Sequence, residues 1–465
     1  MPLDPFLTIT ELARLIASGE VSSVEATAAM LDRVDGRLKS YATVMADHAM
    51  AAAERADRES AAATSRGLLH GVPVAVKDLC FTKGVRTIGG SGALADHVPD
   101  FDGTAVAKLE AAGAVLLGKL NLTEGAMGGY HPDFDAPVNP WDADRRTGAS
   151  SSGSGVATAA GLCFGSLGSD TGGSIRFPAA ACGTVGLKPT WGRVSRCGVL
   201  PLADSLDHVG PLTRCVADAG IMLQAIAGHG PNDPTSLPLA VPDMLGGLDR
   251  GLEGIRFGYD ERYATHDIDE EVAAGVSKAV GELASLGAKA RPVELPDMDP
   301  LVAAWPTLCS AEAVASHRAT YPSRRDDYGP WFQGWLDRGA SITAAEYAEA
   351  NTLRLQSNGH LRRVFEDIDI LLCPSVSAPP QPVTKESLCG PMQERGARFQ
   401  RFTVPFDYSG APTLSLPCGT TRDHLPLSLQ LVGRHLAEPL LIQAGHVYEQ
   451  ATRWHQLHPR LHPRL

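Results

Sequence analysis

Residues 148–174 read GASSSGSGVATAAGLCFGSLGSDTGGS, and this stretch decides how the rest of the chain is interpreted. Eight of its 27 residues are glycine, seven are serine, and Asp170 alone is charged. Glycines beside hydroxyl groups let a ligand approach the backbone closely, because no side chain crowds it. The apolar segment 156–162 between the two polar ends favours a buried helix over a flexible linker.

The two ends of the stretch predict different chemistry. Ser150 to Ser152 form a cluster of hydroxyl groups, whereas 170–174 read Asp-Thr-Gly-Gly-Ser. Successive backbone N–H groups around two glycines can converge into a concave anion site, called a nest. The second end is therefore suited to holding a negative charge.

Composition limits the classes of function. The chain has 465 residues, 20% of them charged, and a formal charge of −12, which argues against nucleic acid as a partner. Nine scattered cysteines without a Cys-x-x-Cys pair predict free thiols in a reducing compartment. The chain shows no secretory signal pattern and no apolar run of membrane-spanning length, so we expect a cytoplasmic protein without a membrane partner.

Periodicity predicts alternating helices and strands, as in an α/β protein. Capping-box patterns at Thr8 and Ser22 open two or three helices within 8–57. The segment 175–211 is expected to be short and loop-rich. Further helices are predicted over 103–113, 267–287 and 437–452, and strands over 71–79, 114–117, 288–293, 368–374, 409–417 and 425–433.

Lys77 is unusual within the predicted strand 71–79. Its neighbours Val72, Val74 and Val76 alternate with it, so the lysine is expected to be buried or half-buried near the strand end. Strands are depleted in lysine, and burial disfavours the charged ammonium group. An edge-strand lysine that faces water is the structural alternative.

Other chemical patterns fail on inspection. Gly113-x-x-x-x-Gly118-Lys119 approaches a phosphate loop, but Leu120 replaces the hydroxyl residue that would hold magnesium. The Gly-x-Ser-x-Gly, Ser-x-x-Lys and His-Glu-x-x-His patterns are absent from the sequence. His455, His458 and His462 lack acidic or cysteine partners, so we interpret them as part of a frayed terminus and expect no metal site.

Residues 300–345 differ in composition from the rest of the chain. The segment contains three of the six tryptophans, and Trp331, Phe332 and Trp335 share one helix face. A stripe of this kind is more often core than pocket, but in an insertion it is also a plausible lid over a substrate.

Several motifs together resemble the amidase signature family of serine hydrolases. The resemblance extends from about residue 8 to about residue 450 and lies in a set of short motifs: Val76-Lys77-Asp78, 118–121 (GKLN), 139–140 (NP), 148–153 (GASSSG), 170–178 (DTGGSIRFP), 186–190 (GLKPT), 207–211 (DHVGP) and 425–430 (LPLSLQ). It implies a large, mixed, twisted central β-sheet flanked by helices on both faces. We therefore expect a single domain over 1–465, with its core at about 60–230 and 365–450.

The resemblance also implies a catalytic triad. Ser174 would be the nucleophile, Ser150 the group that passes its proton, and Lys77 the terminal base. Lys77 would then have to be neutral, which requires burial to lower its pKa by roughly 2–3 units. The family has a cis peptide before the first serine; here Ala149 and Ser152 stand where glycine is common.

The family's remaining site features fall on three parts of this chain. The backbone N–H groups of Thr171, Gly172, Gly173 and Ser174 would form the oxyanion hole, and Met127, Gly128 and Ser151 would lie by the acyl pocket. Asp170 and Arg176 are expected to brace the loop.

The expected activity is hydrolysis of a C–N bond, other than a peptide bond, in a small amide. Carbamates, ureas and biurets need the same acyl-enzyme chemistry and stay open as substrates. The alternative is the glutamine-hydrolysing subunit of a tRNA-dependent amidotransferase. No cofactor is expected, the partner is a small-molecule amide or carbamate, and a homodimer is left open.

Overall fold

One mixed sheet organises the molecule. The computed structural model describes residues 3–34, 36–393 and 397–460. All eleven strands of these ranges belong to the same sheet. They are β1 (Tyr41–Val44), β2 (Pro73–Lys77), β3 (Val115–Leu120), β4 (Gly165–Asp170), β5 (Val185–Lys188), β6 (His208–Thr213), β7 (Arg256–Tyr259), β8 (Lys289–Pro292), β9 (Ile370–Pro374), β10 (Thr413–Thr420) and β11 (Pro426–Gly433).

Helices cover both faces of this sheet, which confirms the predicted α/β class. The described ranges contain α1 (Ile9–Ser18), α2 (Ser23–Arg33), α3 (Ala46–Ala61), α4 (Thr104–Ala111), α5 (Ser152–Ala159), α6 (Arg176–Cys182), α7 (Val216–Ile226), α8 (Glu261–Thr265), α9 (Glu270–Ser285), α10 (Asp299–Ser316), α11 (Pro330–Ser341), α12 (Ala344–Asp367), α13 (Lys385–Cys389), α14 (Val404–Tyr408) and α15 (Glu438–Thr452).

The strand order is β1-β3-β2-β4-β6-β5-β10-β11-β9-β7-β8. Strand β2 runs parallel to both β3 and β4, whereas β4 pairs with β6 and β10 with β11 in antiparallel fashion. The sheet is therefore mixed, as expected.

The pairing of β2 with β4 positions the candidate site. Ala75 lies opposite Ser166 in a parallel register, so the carboxyl ends of the two strands meet at one edge of the sheet. Lys77 ends β2, and Asp170 ends β4. Because β2 has a partner on each side, Lys77 is not the solvent-facing lysine of an edge strand.

The glycine- and serine-rich stretch forms part of the buried core. Every residue of helix α5 is buried. Glycine is required at the position where the backbone of other segments approaches the helix most closely. A Cβ atom on Gly153 would lie 2.5 Å from the carbonyl oxygens of Asn121 and Ser40. The linker alternative is therefore excluded, and the buried-helix prediction is confirmed.

Several other local predictions from the sequence are confirmed. The capping boxes at Thr8 and Ser22 are both formed. Strand β3 occupies the positions that a phosphate loop would need. All nine cysteines are free thiols, and seven of them are buried.

Two predictions about local structure were wrong. The segment 175–211 contains α6, β5 and the start of β6, because its short apolar pieces are buried by pairing with distant strands. The C-terminal tail packs on the body up to residue 460: the ring of His458 stacks on Phe6 with 4.0 Å between centroids. His462 lies outside the described residues. No helix in the described ranges has the length and apolar character needed to cross a bilayer.

Candidate active site

Lys77 lies at the centre of a group of serine hydroxyls. Its Nζ atom is 2.7 Å from Ser150 Oγ, 2.9 Å from Ser151 Oγ and 2.8 Å from Ser169 Oγ. The lysine is completely buried, and its three hydrogen-bond partners are uncharged. The structure thus brings Lys77 and Ser150 together, as the sequence motifs predicted.

The hydrogen bonds of Ser151 fix the direction in which Lys77 can accept a proton. The Ser151 hydroxyl donates to Ser169 O at 3.1 Å and accepts the N–H of Ser169 at 3.2 Å. Since its single proton points to that carbonyl, Ser151 can only accept from Lys77. Ser150 and Ser169 remain as hydroxyls that can donate to a neutral Lys77 amine, and of these two only Ser150 lines the pocket of Ser174.

Burial makes that neutral amine accessible near physiological pH. It lowers the pKa of Lys77 from an ordinary value near 10.5 to about 7. Carboxylates near the site oppose this effect only weakly, because none of them contacts the Nζ atom. The lysine can therefore act as a proton acceptor without a metal ion or a histidine.

Ser174 shares a small pocket with Ser150. The two serines line it together with Thr171, Gly172, Met127, Gly128 and Trp305, among other residues. Ser174 is half-buried, and its carbonyl oxygen accepts the N–H of Ser151 at 3.2 Å. The Ala149–Ser150 peptide bond is cis, as in the family, although alanine replaces glycine here.

Only part of the predicted oxyanion hole has N–H groups that can reach a ligand. The N–H of Gly173 donates to Asp170 Oδ1 at 2.6 Å, so Gly173 does not serve as a donor to the pocket. No acceptor within the described ranges takes the N–H groups of Thr171, Gly172 and Ser174. Of the four predicted donors, the N–H groups of Thr171, Gly172 and Ser174 therefore stay candidates, while that of Gly173 is already bonded within the turn.

Side chains from distant segments orient this part of the backbone. Trp305 Nε1 donates to Thr171 O at 3.0 Å, and Thr403 Oγ1 donates to Gly172 O at 2.7 Å. In a trans peptide the carbonyl and the following N–H point in opposite directions, so the Trp305 contact fixes the N–H of Gly172. A Cβ atom on Gly172 would lie 2.6 Å from the Trp305 ring, which explains the glycine.

Asp170 and Arg176 brace the turn, as expected. Arg176 Nε lies 3.0 Å from Asp170 Oδ2 and Nη2 lies 2.9 Å from Oδ1, with a further contact of 2.6 Å from Nη2 to Asp407 Oδ2. All three side chains are fully buried. Although burial alone would raise it, the pKa of Asp170 stays well below its usual range because of the adjacent guanidinium.

The predicted acyl-pocket residues separate into two groups. Met127 and Gly128 line the pocket of Ser174, whereas Ser151 is buried beneath it and contacts Lys77. A Cβ atom on Gly128 would lie 2.4 Å from the Trp331 ring, so glycine is required for that tryptophan to pack against the boundary between the pocket and the neighbouring cavity.

The aromatic insertion serves as both core and pocket wall. Trp331, Trp335 and Trp305 line a cavity next to the pocket of Ser174. Phe332 is instead fully buried, and its ring packs 5.0 Å from His317. The single helix face that the sequence indicated is therefore divided between two roles.

Sequence reasoning missed Ser169, Asp207 and Trp305. Asp207 accepts a hydrogen bond of 2.5 Å from Thr171 Oγ1, and burial raises its pKa to about 6. Ser169 directly precedes the last residue of β4, and the parallel pairing of β4 with β2 is a signal that could have placed it near Lys77. Nothing local in the sequence connects Trp305 to Thr171, 134 positions away.

Comparison with known proteins agrees with this fold. The family model described as Amidase matches residues 22–442. The AmiD protein of Mycobacterium tuberculosis, named as a putative amidase, is 47% identical over 458 residues, covering 97% of this chain and 96% of AmiD. A subunit of the glutamyl-tRNA(Gln) amidotransferase of Geobacter sp. (strain M21) is 40% identical over 478 residues, covering 97% and 98% of the two chains.

A solved structure extends the likeness to three dimensions. The peptide amidase from Stenotrophomonas maltophilia superposes with a TM-score of 0.83 at 31% sequence identity, covering 98% of each chain. The fold is thus that of an amide-cleaving hydrolase. The chain belongs to the amidase signature family and is an amidase, an enzyme that acts on amides.

Proposed function

We propose that the protein hydrolyses the C–N bond of a small amide through an acyl-enzyme on Ser174. The observation that carries this proposal is the 2.7 Å contact between Lys77 Nζ and Ser150 Oγ in a fully buried site. Lys77 is the base and contacts Ser150, which lines the same pocket as Ser174. A proton of Ser174 would therefore have a path through Ser150 to Lys77.

The reaction begins when Ser174 Oγ attacks the carbonyl carbon of the amide. The proton of Ser174 passes to Ser150 Oγ, and the proton of Ser150 passes to Lys77 Nζ. The negative charge that develops on the carbonyl oxygen is stabilised by the N–H groups of Thr171, Gly172 and Ser174.

The C–N bond then breaks, and the relay runs in reverse. Lys77 returns its proton through Ser150 to the leaving nitrogen, which departs as an amine or ammonia. A water molecule then attacks the ester carbon of the acyl-enzyme. It gives one proton to Ser150, and the hydroxyl proton of Ser150 passes to Lys77. Collapse of this second intermediate releases the acid and restores the Ser174 hydroxyl.

The charged side chains around the pocket of Ser174 bear on the choice between a general amide and glutamine. Within the described residues, no aspartate or glutamate lines the pocket of Ser174 or the two cavities that share Gly128 with it, whereas a third cavity, which shares Thr171 with the pocket, is lined by Asp204 and Asp207. Arginines line both of the cavities that share Gly128. An α-ammonium group of glutamine placed in the pocket itself or in either arginine-lined cavity would therefore meet no carboxylate among the described residues, and only the cavity of Asp204 and Asp207 could supply one.

The amidotransferase function is the second candidate. Its support is the 40% identity to the Geobacter amidotransferase subunit over almost the whole chain. Carbamates, ureas and biurets remain within the proposed chemistry, because each has a carbonyl carbon and a nitrogen leaving group.

The direct test is covalent labelling. A fluorophosphonate probe should label the wild type and fail to label Ser174→Ala, while Ser150→Ala should be labelled more slowly because its nucleophile remains but its relay is broken. Labelling of Ser174→Ala at the wild-type rate would contradict the assignment. A substrate panel of glutamine, an aryl amide, a peptide amide, a nitrophenyl carbamate and biuret would separate the two candidates.

A further inference from the structure

A second cavity opens beside the pocket of Ser174. It has a volume of about 170 Å³ and shares Gly128, Ala149, Phe177 and Phe399 with that pocket. The rings of Phe177 and Phe399 lie 4.7 Å apart at the junction. We call this cavity the arginine chamber, after Arg146 in its wall.

Arg146 places a cation in a wall that is otherwise mostly apolar. Its Nη2 atom donates to Ser387 O, and no carboxylate in the described ranges forms an ion pair with it. A guanidinium has five N–H donors, so most of the hydrogen-bonding capacity of Arg146 is unused. Burial accordingly lowers the pKa of Arg146, with only the Tyr130 hydroxyl acting in the opposite direction.

The backbone of Arg146 is held firmly. Its N–H donates to Gln381 O at 2.9 Å, and its carbonyl oxygen accepts from Asn139 Nδ2 at 2.9 Å. The neighbouring Arg145 forms an isolated antiparallel bridge with Pro382. The chamber therefore presents a guanidinium from a fixed position rather than from a loose surface loop.

A second polar group in the chamber, unlike Arg146, has no hydrogen-bond partner among the described residues. The Thr123 hydroxyl is buried, with 1% of the residue exposed, and forms no hydrogen bond within the described ranges. Leaving a buried hydroxyl unpaired is unfavourable, so a polar group that reached Thr123 from the chamber would be stabilised by it. The N–H of Thr123 donates to Ser150 O at 3.3 Å, which places it close to the candidate relay serine.

We propose that the arginine chamber binds a carboxylate of the substrate, held by Arg146, while the scissile amide lies at Ser174. The substrate class is then an amide whose acid group is separated from the reacting carbonyl by an apolar spacer. The spacer is short, because only three residues separate Arg146 from Ser150 and the Cα atoms of these two residues are at most about 14 Å apart. This inference rests on the proposed amide hydrolysis.

The chemistry of the chamber favours a carboxylate that is joined to the amide by an apolar spacer. A guanidinium pairs with a carboxylate through two parallel hydrogen bonds, and an apolar wall strengthens them by excluding water. A cationic group would find no carboxylate among the described lining residues. The chamber therefore distinguishes an acid-bearing amide both from a neutral amide and from an amine-bearing one.

The test compares amides matched in length. The substrates are the monoamides of glutaric, adipic, pimelic and suberic acid, their neutral partners from pentanamide to octanamide, and the corresponding ω-amino amides. For the wild type, kcat/KM of the best monoamide should exceed that of its neutral partner about 10- to 100-fold. Arg146→Met should abolish this ratio, and Arg146→Lys should keep part of it.

Arg145→Met is the matched control. Arg145 lines the same chamber, but its Nε atom lies 3.4 Å from Asp142 Oδ2, so its charge is already compensated. This variant should keep most of the acid preference. Equal kcat/KM for acidic and neutral amides in the wild type, or an equal loss for both in Arg146→Met, would overturn the proposal.

A binding measurement separates this proposal from the proposed function. Calorimetry on Ser174→Ala should show binding of the preferred monoamide, and Ser174→Ala/Arg146→Met should lose it. If the wild type hydrolyses none of the amides but Ser174→Ala binds the acid through Arg146, the hydrolysis is wrong and the carboxylate site stands. If the wild type hydrolyses neutral amides but shows no preference for acids that depends on Arg146, the proposed hydrolysis stands and the carboxylate site is wrong.

Discussion

Two buried basic side chains near the candidate site, Lys77 and Arg176, differ in the charge of their hydrogen-bond partners. Lys77 contacts three neutral hydroxyls, whereas Arg176 contacts the carboxylates of Asp170 and Asp407. Burial disfavours the charge of both side chains. Without a carboxylate in contact the pKa of Lys77 falls to about 7, while the pKa of Arg176 rises above its ordinary value because Asp170 and Asp407 outweigh burial.

The difference shows how one fold assigns reactivity and rigidity to neighbouring positions. A cation with hydroxyl partners can lose its proton and serve as a base. A cation with carboxylate partners stays charged and holds the chain in place. The partners of each side chain, rather than its depth of burial, separate the two roles.

The largest expected effect is the loss of the base. Lys77→Arg should lower kcat/KM about 10²- to 10⁴-fold, because a guanidinium stays protonated and cannot accept the proton of Ser150. Lys77→Met is the control that removes the charge as well, and circular dichroism checks that both variants fold. Activity of Lys77→Arg above one tenth of the wild type would contradict the role of Lys77.

Loss of the brace should affect stability more than chemistry. Arg176→Met leaves the buried Asp170 without its counter-charge, which costs about 3–5 kcal/mol. The urea midpoint and melting temperature should fall clearly. Arg176→Met/Asp170→Asn removes both charges and should recover part of the loss; an unchanged melting temperature in the single variant would show that the ion pair does not brace the turn.

Ser169→Asp should make the surroundings of Lys77 resemble those of Arg176. In the wild type, kcat/KM should fall about tenfold per pH unit below pH 7, because the protonated lysine is inactive. A carboxylate at position 169 stabilises the protonated form, so this acidic limb should move about 1–3 units upward. Ser169→Asn is the neutral control of similar shape, and a profile identical in all three proteins would contradict the comparison.

The smallest effect is expected in the aromatic wall. Trp331→Ala should change the ratio of kcat/KM between an aryl and a short alkyl amide several-fold, with little change in melting temperature, because its ring covers Gly128. Phe332→Ala is the matched variant from the next position and should lower stability by about 3–5 kcal/mol. The opposite pattern would make Trp331 a core residue.

Most of the candidate site could be anticipated from the sequence because it depends on local motifs. Lys77 is anomalous in its own strand, and the serines at 150 and 174 flank a short helix and a strand. The bracing role of Asp170 was expected from its position flanking the Thr-Gly-Gly-Ser turn. The hydrogen bond that engages the N–H of Gly173 with Asp170 could not be anticipated, since it depends on the direction in which that N–H points.

The rest of the site depends on contacts between distant segments. Trp305 and Thr403 reach the oxyanion turn from α10 and from the residue before α14, and β5 and β6 become strands only by pairing within the large sheet. Short buried strands have no periodicity of their own, so they were interpreted as loops. The single domain over 1–465, the homodimer and the cytoplasmic location stay predictions.

The hydrogen bond from Trp305 to Thr171 links rate and selectivity in one side chain. The indole ring forms part of the aromatic wall, while its N–H holds the peptide between Thr171 and Gly172, whose N–H is one of the proposed donors to the reacting oxygen. An engineer who exchanges the insertion to accept a different substrate would therefore also alter the transition-state contacts, unless the new segment brings an N–H donor to the same carbonyl. Variation in substrate range is easier to obtain from Trp331 and Trp335, whose side chains form no hydrogen bond to the oxyanion turn within the described residues.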